Sequence, residues 1–441
     1  MKKISFIIFI NFSIVFNSLA QNPIVPPGVY IADPSAHIWD DGKLYVYGSL
    51  DESTDYYCSF KYHVLATSDL KTWELFEDRF ASKGQNDQVP ESDQLLFAPD
   101  CQFKNGKYYL YYCPPDREFT EGAAISSSPT GPFTYGRNIQ LYGYNQIDPG
   151  VFIDDDGQAY YVWGQFTMKM ARLKASMTEL DASTIKDSVL TEAEHFFHEG
   201  AFMTKRNGTY YLIYADLSRA NTPTCLGYAT SEQPTGPYQY RGVIIDNDRC
   251  DPANWNNHGS IVEFGGQWYV FYHRATHGSR MMRKACVEPI TFNPDGSITE
   301  VEMTSQGAGS PLDALSQIDA ERACLLFGNV RIQAFTSDNE ELTGIQNKDR
   351  VTYKYIDFGD GVDRVTFRVK PGIKSGKIDL TFDMPWHQSI GTVDIPANEN
   401  GTWQNITADI KSVTAVHALW LRFSGEEGDL FSIDWFKFLK Q

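Results

Sequence analysis

Apolar and polar positions alternate in short runs along most of this chain, and the runs come in pairs joined by Gly-containing turns. Five turn-plus-strand segments repeat the pattern: DGKLYVYGS (Asp41–Ser49), NGKYYLYYC (Asn105–Cys113), DGQAYYVWG (Asp156–Gly164), NGTYYLIYA (Asn207–Ala215) and GGQWYVFYH (Gly265–His273). Asp-Gly, Asn-Gly and Gly-Gly between β-prone runs predict hairpins with type I′ turns, which need positive φ. The segments recur at intervals of about 50 to 65 residues, and this predicts radially repeated sheet blades. SSPTGPF (Ser127–Phe133), SEQPTGPY (Ser231–Tyr238) and TSDLKTW (Thr67–Trp73) mark outer-strand turns. Met168–Leu190 is the one stretch where a helix would interrupt the strands.

The repeats fade near Thr299, and TSQGAGSPLDALS (Thr304–Ser316) carries Gly, Ser and Pro without a strand pattern. Beyond it come YIDFGDG, DRVTFRVK, KIDLTFDM, IGTVDIP, ALWLRFS and FSIDWFKF, short alternating strands that predict a jelly-roll β-sandwich. The expected class is all-β: a five-bladed β-propeller over 21–303, a linker over 304–316 and a β-sandwich over 317–441. Residues 1–20 read as a leader. Lys2 and Lys3 precede an apolar run from Ile4 to Phe16, and Ser18-Leu19-Ala20 matches a small-x-small cleavage site. The run is too short for a membrane span, and no Cys follows the expected cut for a lipid anchor. A secreted or periplasmic protein is expected.

Composition changes the picture in two places. The net charge of −18 argues against nucleic acid or an anionic membrane as partner. Seven cysteines, an odd number, leave at least one thiol free or paired between chains. A two-residue turn at Asn105-Gly106 sets Cys101 opposite Leu110, out of register for a bridge to Cys113. The spacings show no zinc pattern.

Just upstream of the hairpins stand Asp33, Asp100, Asp148, Glu199 and His258. Equivalent positions in successive blades face one axis, so four carboxylates and an imidazole are expected around a central funnel. An Asp before a strand also serves as a turn residue. Acid at four equivalent positions goes beyond turn chemistry. Glycoside hydrolysis needs two carboxyl groups in different protonation states on opposite sides of the scissile bond. Asp33 in blade one and Glu199 in blade four are not adjacent, which leaves a gap between them. Asp148, in the blade next to Glu199, is expected as a fixed negative charge that keeps the glutamate protonated. Arg274, at the end of the YVFYHR strand, is a candidate contact for substrate or a catalytic carboxylate.

The segments ADPS around Asp33, FAPD around Asp100, IDPG around Asp148, HEGAF around Glu199 and NHGS around His258 resemble glycoside hydrolase family 43, whose fold is a five-bladed β-propeller. The resemblance implies that Asp33 is the general base, Asp148 the pKa modulator and Glu199 the general acid. It implies inversion too, with Asp33 and Glu199 roughly 6.5–9.5 Å apart. Phe97 stands where many relatives carry Trp, and with Asp100 and Arg274 it completes the expected substrate-binding set. At His258 relatives often hold a calcium ion on the axis. The C-terminal part resembles carbohydrate-binding module family 6 through IDAERA (Ile318–Ala323), YIDFGDGVDRVTFRV (Tyr355–Val369) and FSIDWFKF (Phe431–Phe438). That family holds a structural calcium, for which Asp319, Glu321 and Asp434 are candidates, the first two on one face of a strand. Trp386 and Trp420 are candidate sugar platforms. The expected activity is release of α-L-arabinofuranosyl or β-D-xylosyl units from plant hemicellulose. An endo-xylanase, a galactofuranosidase and a non-catalytic glycan-binding propeller remain the alternatives.

Overall fold

The computed structural model describes residues 13–18, 20–116 and 118–440. Most of the expected leader lies outside the described residues. Within its remainder, Ile14–Asn17 pairs with the outer edge of the first sheet.

Five antiparallel sheets follow one another in the first two thirds of the chain. Blade 1 holds strands Ile31–Ile38, Leu44–Leu50, Lys61–Thr67 and Thr72–Ala81. Blade 2 begins at Asp100–Lys104, blade 3 at Gly150–Ile153, blade 4 at Phe197–Arg206 and blade 5 at Ser260–Phe264. These first strands neighbour one another in sequence order, and the fifth returns to the first. The ring is closed. Blade 5 has three strands, and the N-terminal stretch runs along the outermost, Ser279–Ile290. Asn22 Oδ1 accepts from Val287 N at 2.8 Å, and Ile24 N donates to the Ala285 carbonyl at 2.9 Å. The edge is thereby covered.

All five hairpins form, with two kinds of turn. At Asn105-Gly106, Asn207-Gly208 and Gly265-Gly266 both residues have positive φ, the type I′ geometry. At Asp41-Gly42 and Asp156-Gly157 the glycine alone does, and its N–H bonds back to Trp39 or Asp154, a longer turn than expected. The aromatic strands fill the spaces between blades. Tyr111, Tyr161 and Tyr211 are fully buried, and their hydroxyls reach the Met177 carbonyl, Glu121 and the Gly296 carbonyl. Each ring contributes its apolar body while the polar tip stays bonded.

Met168–Leu190 is not helical. It gives strands Thr167–Arg172 and Lys186–Thr191 around a 3-10 turn, Ala182–Thr184, that Asp181 caps. Met168 and Met170 point inward together, a period of two rather than 3.6. Among the described residues α-helix is confined to Glu192–His195. None is long and apolar enough to cross a membrane. The seven cysteines are all free and buried, and Cys101 pairs with Leu110 as its register predicts.

The C-terminal part is a two-sheet sandwich. One sheet is built on Arg350–Asp357, Val416–Gly425, Gly376–Phe382 and Gly391–Ile395, the other on Asn339–Thr343, Phe431–Leu439, Val362–Pro371 and Gln404–Val413. Val351, Tyr353, Leu419 and Leu421 meet Phe367, Ile433, Phe436 and Phe438 between them. The expected linker is packed instead of free. Thr304 is buried and bonds Glu288 through both its N–H and its hydroxyl, and Leu312–Asp313 already pairs into the sandwich. Lys284 Nζ meets Glu340 Oε2 at 2.6 Å across the two parts, both buried.

Candidate active site

The backbone is irregular where the inner strands begin. Asp33 sits in a bulge between Ala32 and Ser35, and Glu199 in one between Phe197 and Phe202. Asp33 and Asp148 each precede a proline and have φ of 52° and 65°. A non-glycine residue there costs on the order of 1–3 kcal/mol. With the bulges, this geometry turns the side chains off the sheet and into the funnel. The funnel ends in a cavity of about 180 Å³ lined by Asp33, Asp148, Glu199, His258 and Phe97, together with Tyr57, Cys58, Gln165, His198, Trp255, Asn256 and Arg283. Pockets for drug-sized ligands run to about 300–1,000 Å³. This one suits a single sugar unit.

On one wall Asp33 is clamped. Arg283 Nη1 donates to Oδ1 at 2.8 Å and Ser49 Oγ to Oδ2 at 2.6 Å. The same guanidinium grips Asp51 with two bonds of 2.9 Å, and it lies over the Tyr57 ring. Burial alone would raise Asp33, but the Arg283 charge, together with the contacts of His273 and His258, outweighs it and holds the carboxyl well below the usual range. His273 is neutral here: Nδ1 accepts from the Asp33 N–H and Nε2 faces the Asn256 carbonyl. His258 bridges the two walls. Its Nδ1 is 3.7 Å from Asp33 Oδ1, and its ring covers Gly200, where a Cβ would come within 2.8 Å of the imidazole. Burial lowers its pKa.

Among the described residues the other wall has no such cation. Asp148 is buried, and its N–H points at Cys113 Sγ. Burial, then the carboxylates of Glu199 and Asp33, push it well above the carboxylate range, and Arg283 offsets little. The expected fixed negative charge meets an opposing tendency: burial and the carboxylates around it favour the protonated form of Asp148. Glu199 Oε2 accepts from Gln165 Nε2 at 2.7 Å, and His198 Nε2 lies 4.0 Å from the same oxygen.

Two expected substrate contacts lie elsewhere. Asp100 is buried, and it ties three inner strands together by accepting from Ser35 Oγ, Cys101 N and Val151 N and by meeting His37 at 2.6 Å. It has no free oxygen for a sugar. Arg274 faces the sandwich, where it is buried against Tyr272, Glu288 and the Thr304 carbonyl. The arginine that does reach a catalytic-wall carboxylate is Arg283, in MMRKACV. A cation inside an apolar strand was its only sequence signal. Tyr57, Gln165 and Trp255 sit in loops whose sequence carries no period.

In the sandwich, Glu321 is not on a strand with Asp319 but in the 3-10 turn Ala320–Arg322. Among the described residues no group of three His, Cys, Asp or Glu side chains stands close enough to hold an ion, at His258 or here. Trp420 is buried against Phe327, while Trp386 is exposed.

The family model of the glycosyl hydrolases family 43 matches residues 20–298. The chain belongs to that family. It is a glycoside hydrolase acting on O-glycosyl bonds, and a carbohydrate binding module of family 6 matches residues 320–440. Over 92% of its length this family 43 chain is 30% identical to a xylosidase/arabinosidase of Thermoclostridium stercorarium, covering 96% of that protein. It is 27% identical to an arabinoxylan arabinofuranohydrolase of Bacillus subtilis, covering 93% of this chain and 91% of that one. Among solved structures, it resembles a family 43 beta-xylosidase/alpha-arabinofuranosidase from a compost microbial metagenome, in complex with xylotriose and in a calcium-free form. That match has a TM-score of 0.55 and 31% identity, over 66% of this chain and 99% of that one.

Proposed function

We propose that this family 43 chain is a secreted, inverting glycosidase that removes α-L-arabinofuranosyl or β-D-xylosyl units from plant hemicellulose. The gathering of Asp33, Asp148 and Glu199 in one sugar-sized cavity, with Asp33 pulled down and Asp148 pushed up, carries this reading. Asp33, held ionised by Arg283, accepts a proton from a water as the water oxygen attacks the anomeric carbon. Glu199 gives its proton to the leaving oxygen as the C–O bond breaks. Asp148 lines the same cavity and supports the acid as a neighbouring carboxyl. The substrate class rests on the relatives, which include xylosidase/arabinosidases and arabinoxylan arabinofuranohydrolases.

Turnover of aryl α-L-arabinofuranoside, β-D-xyloside and β-D-galactofuranoside, with arabinoxylan and xylan, tests this. The expected result is one sugar released in inverted configuration by the wild type and not by Asp33→Ala. Retained configuration removes the inverting mechanism. Glycan binding without turnover leaves a lectin.

The leader supports export through a signal peptide. A structural calcium in the sandwich, as the family 6 module implies, would need Asp319, Glu321 and Asp434 to draw together, because they do not stand as one cluster here. Glu321 Oε2 is buried without a hydrogen-bond partner, and Asp434 Oδ2 meets Arg368 at 3.2 Å outside hydrogen-bond geometry. Burial, with Asp319 nearby, pushes Glu321 up to about 8. Oxygen donors short of partners suit calcium. Chelation should lower the melting temperature of the C-terminal part, and an unchanged curve with and without added calcium counts against the site.

A further inference from the structure

We propose that Gln165 is a positioning residue that decides which oxygen of the Glu199 carboxyl carries the proton. The proposal rests on Glu199 being the general acid. Gln165 Nε2 donates to Glu199 Oε2 at 2.7 Å. An oxygen that accepts so short a bond from an amide has no room for a proton of its own on that side. The other oxygen, Oε1, meets Asn256 Nδ2 at 3.5 Å, the outer limit of a hydrogen bond. Oε1 is therefore the protonated atom. In the bond-breaking step its proton passes to the glycosidic oxygen, the C–O electron pair goes to that oxygen, and Glu199 becomes a carboxylate. Gln165 then stabilises the charge it has been facing throughout.

The backbone that carries this amide is itself held in place. Gln165 follows Gly164, whose φ is 132° and where a Cβ would meet the Thr167 carbonyl oxygen at 2.2 Å. The Gln165 N–H donates to Gln146 Oε1 at 3.1 Å. Gln146 stands two residues before Asp148, so the loop that carries Asp148 also sets the donor to Glu199. The acid wall is thus assembled from one loop pair, at the end of blade 3.

A general acid matters in proportion to how poor the leaving group is. The test measures kcat/KM of wild type, Gln165→Ala and Glu199→Gln on 2,4-dinitrophenyl and phenyl glycosides of the sugar the enzyme accepts, across pH. For Gln165→Ala the expected loss is about 10- to 100-fold on the phenyl glycoside and under about threefold on the dinitrophenyl one. The alkaline limb of its rate profile should also move to higher pH, because the ionised carboxylate has lost a donor. Equal losses on both substrates, or an unmoved alkaline limb, overturn the proposal and leave Gln165 a structural residue. If Glu199→Gln itself shows no leaving-group dependence, the acid assignment fails instead. If Glu199→Gln shows it and Gln165→Ala does not, the role of Gln165 alone is wrong.

Discussion

Asp33 and Asp148 are the same local structure in two blades with opposite chemistry. Each is the Asp of an Asp-Pro pair, each has a left-handed backbone, and each is buried at the head of an inner strand. Yet Asp33 is held well below the usual carboxylate range and Asp148 well above it. The repeat supplies only position. What differs is the side chain that arrives from elsewhere in the ring: Arg283, from the last strand of blade 5, reaches Asp33 but is already saturated by Asp33 and Asp51. Under Asp148 lie Cys113 and the buried Glu121, with no cation of their own. One guanidinium, placed asymmetrically, is the main difference between two equivalent carboxyls that shift in opposite directions.

Removing that guanidinium should erase the difference and has the largest expected effect. Arg283→Met leaves Asp33 and Asp51 buried without a counter-charge, which costs about 3–5 kcal/mol for a broken buried pair. Burial then dominates at Asp33, the base takes up a proton, and kcat/KM should fall at least about 10²–10³-fold. The stability has a pH signature. Because the folded-state value of Asp33 lies below the unfolded one, the clamp stabilises the wild type above about pH 4, and that contribution is lost as pH falls. Urea unfolding at pH 7 and at about pH 2.5, below the unfolded value, should show the Arg283→Met deficit shrinking on acidification. Arg283→Lys, which keeps a charge, serves if the Met variant does not fold. A constant deficit would separate the clamp from the ionisation of Asp33.

Asp100 sharpens the comparison as a third acid at an equivalent position. Its oxygens are filled by protein donors from three blades, so it is expected to act on stability alone. Asp100→Asn cannot accept from all of them, and a loss of about 2–4 kcal/mol is expected, with KM within about twofold of wild type. A large rise in KM in a fully folded variant would return Asp100 to the substrate.

These outcomes bear on what the sequence could show. The five hairpins, the blade order and the convergence of Asp33, Asp148, Glu199 and His258 were legible because they follow from local turn chemistry and a fixed repeat. Asp100 shared every one of those signals and still points into the scaffold. Its neighbours Ser35, His37 and Val151 come from other blades, and no periodicity reports them. Arg283 was hidden for the same reason, 250 residues from the aspartate it controls. Arg274, the more conspicuous cation, alternates to the wrong face. Met168–Leu190 was misread because long apolar methionines suit helix and strand alike, and only the pairing with Lys186–Thr191 decides. The second carboxyl face in the sandwich failed because Glu321 leaves the strand for a single 3-10 turn.

The smallest expected effect probes the wall that lacks a cation. Glu121 lies beneath Asp148, with Tyr161 donating to Oε2 at 2.6 Å and Oε1 buried without a partner. Burial pushes its carboxyl well above the usual range, and the tyrosine bond offsets this only in part. A carboxyl raised in the folded state contributes stability that is fully present below its unfolded value, about 4.3, and is lost as pH rises through the folded one. Glutamine keeps the shape and an acceptor for Tyr161 but has no proton to lose. The melting temperature of Glu121→Gln should therefore match the wild type near pH 5 and exceed it increasingly toward pH 8. Its alkaline activity limb should shift slightly downward, because Asp148 has lost one of the carboxylates that raise it. If the melting difference is flat with pH, Glu121 does not titrate with the fold. The raised state of Asp148 would then rest on burial and Glu199 alone, which is where the contrast with Asp33 begins.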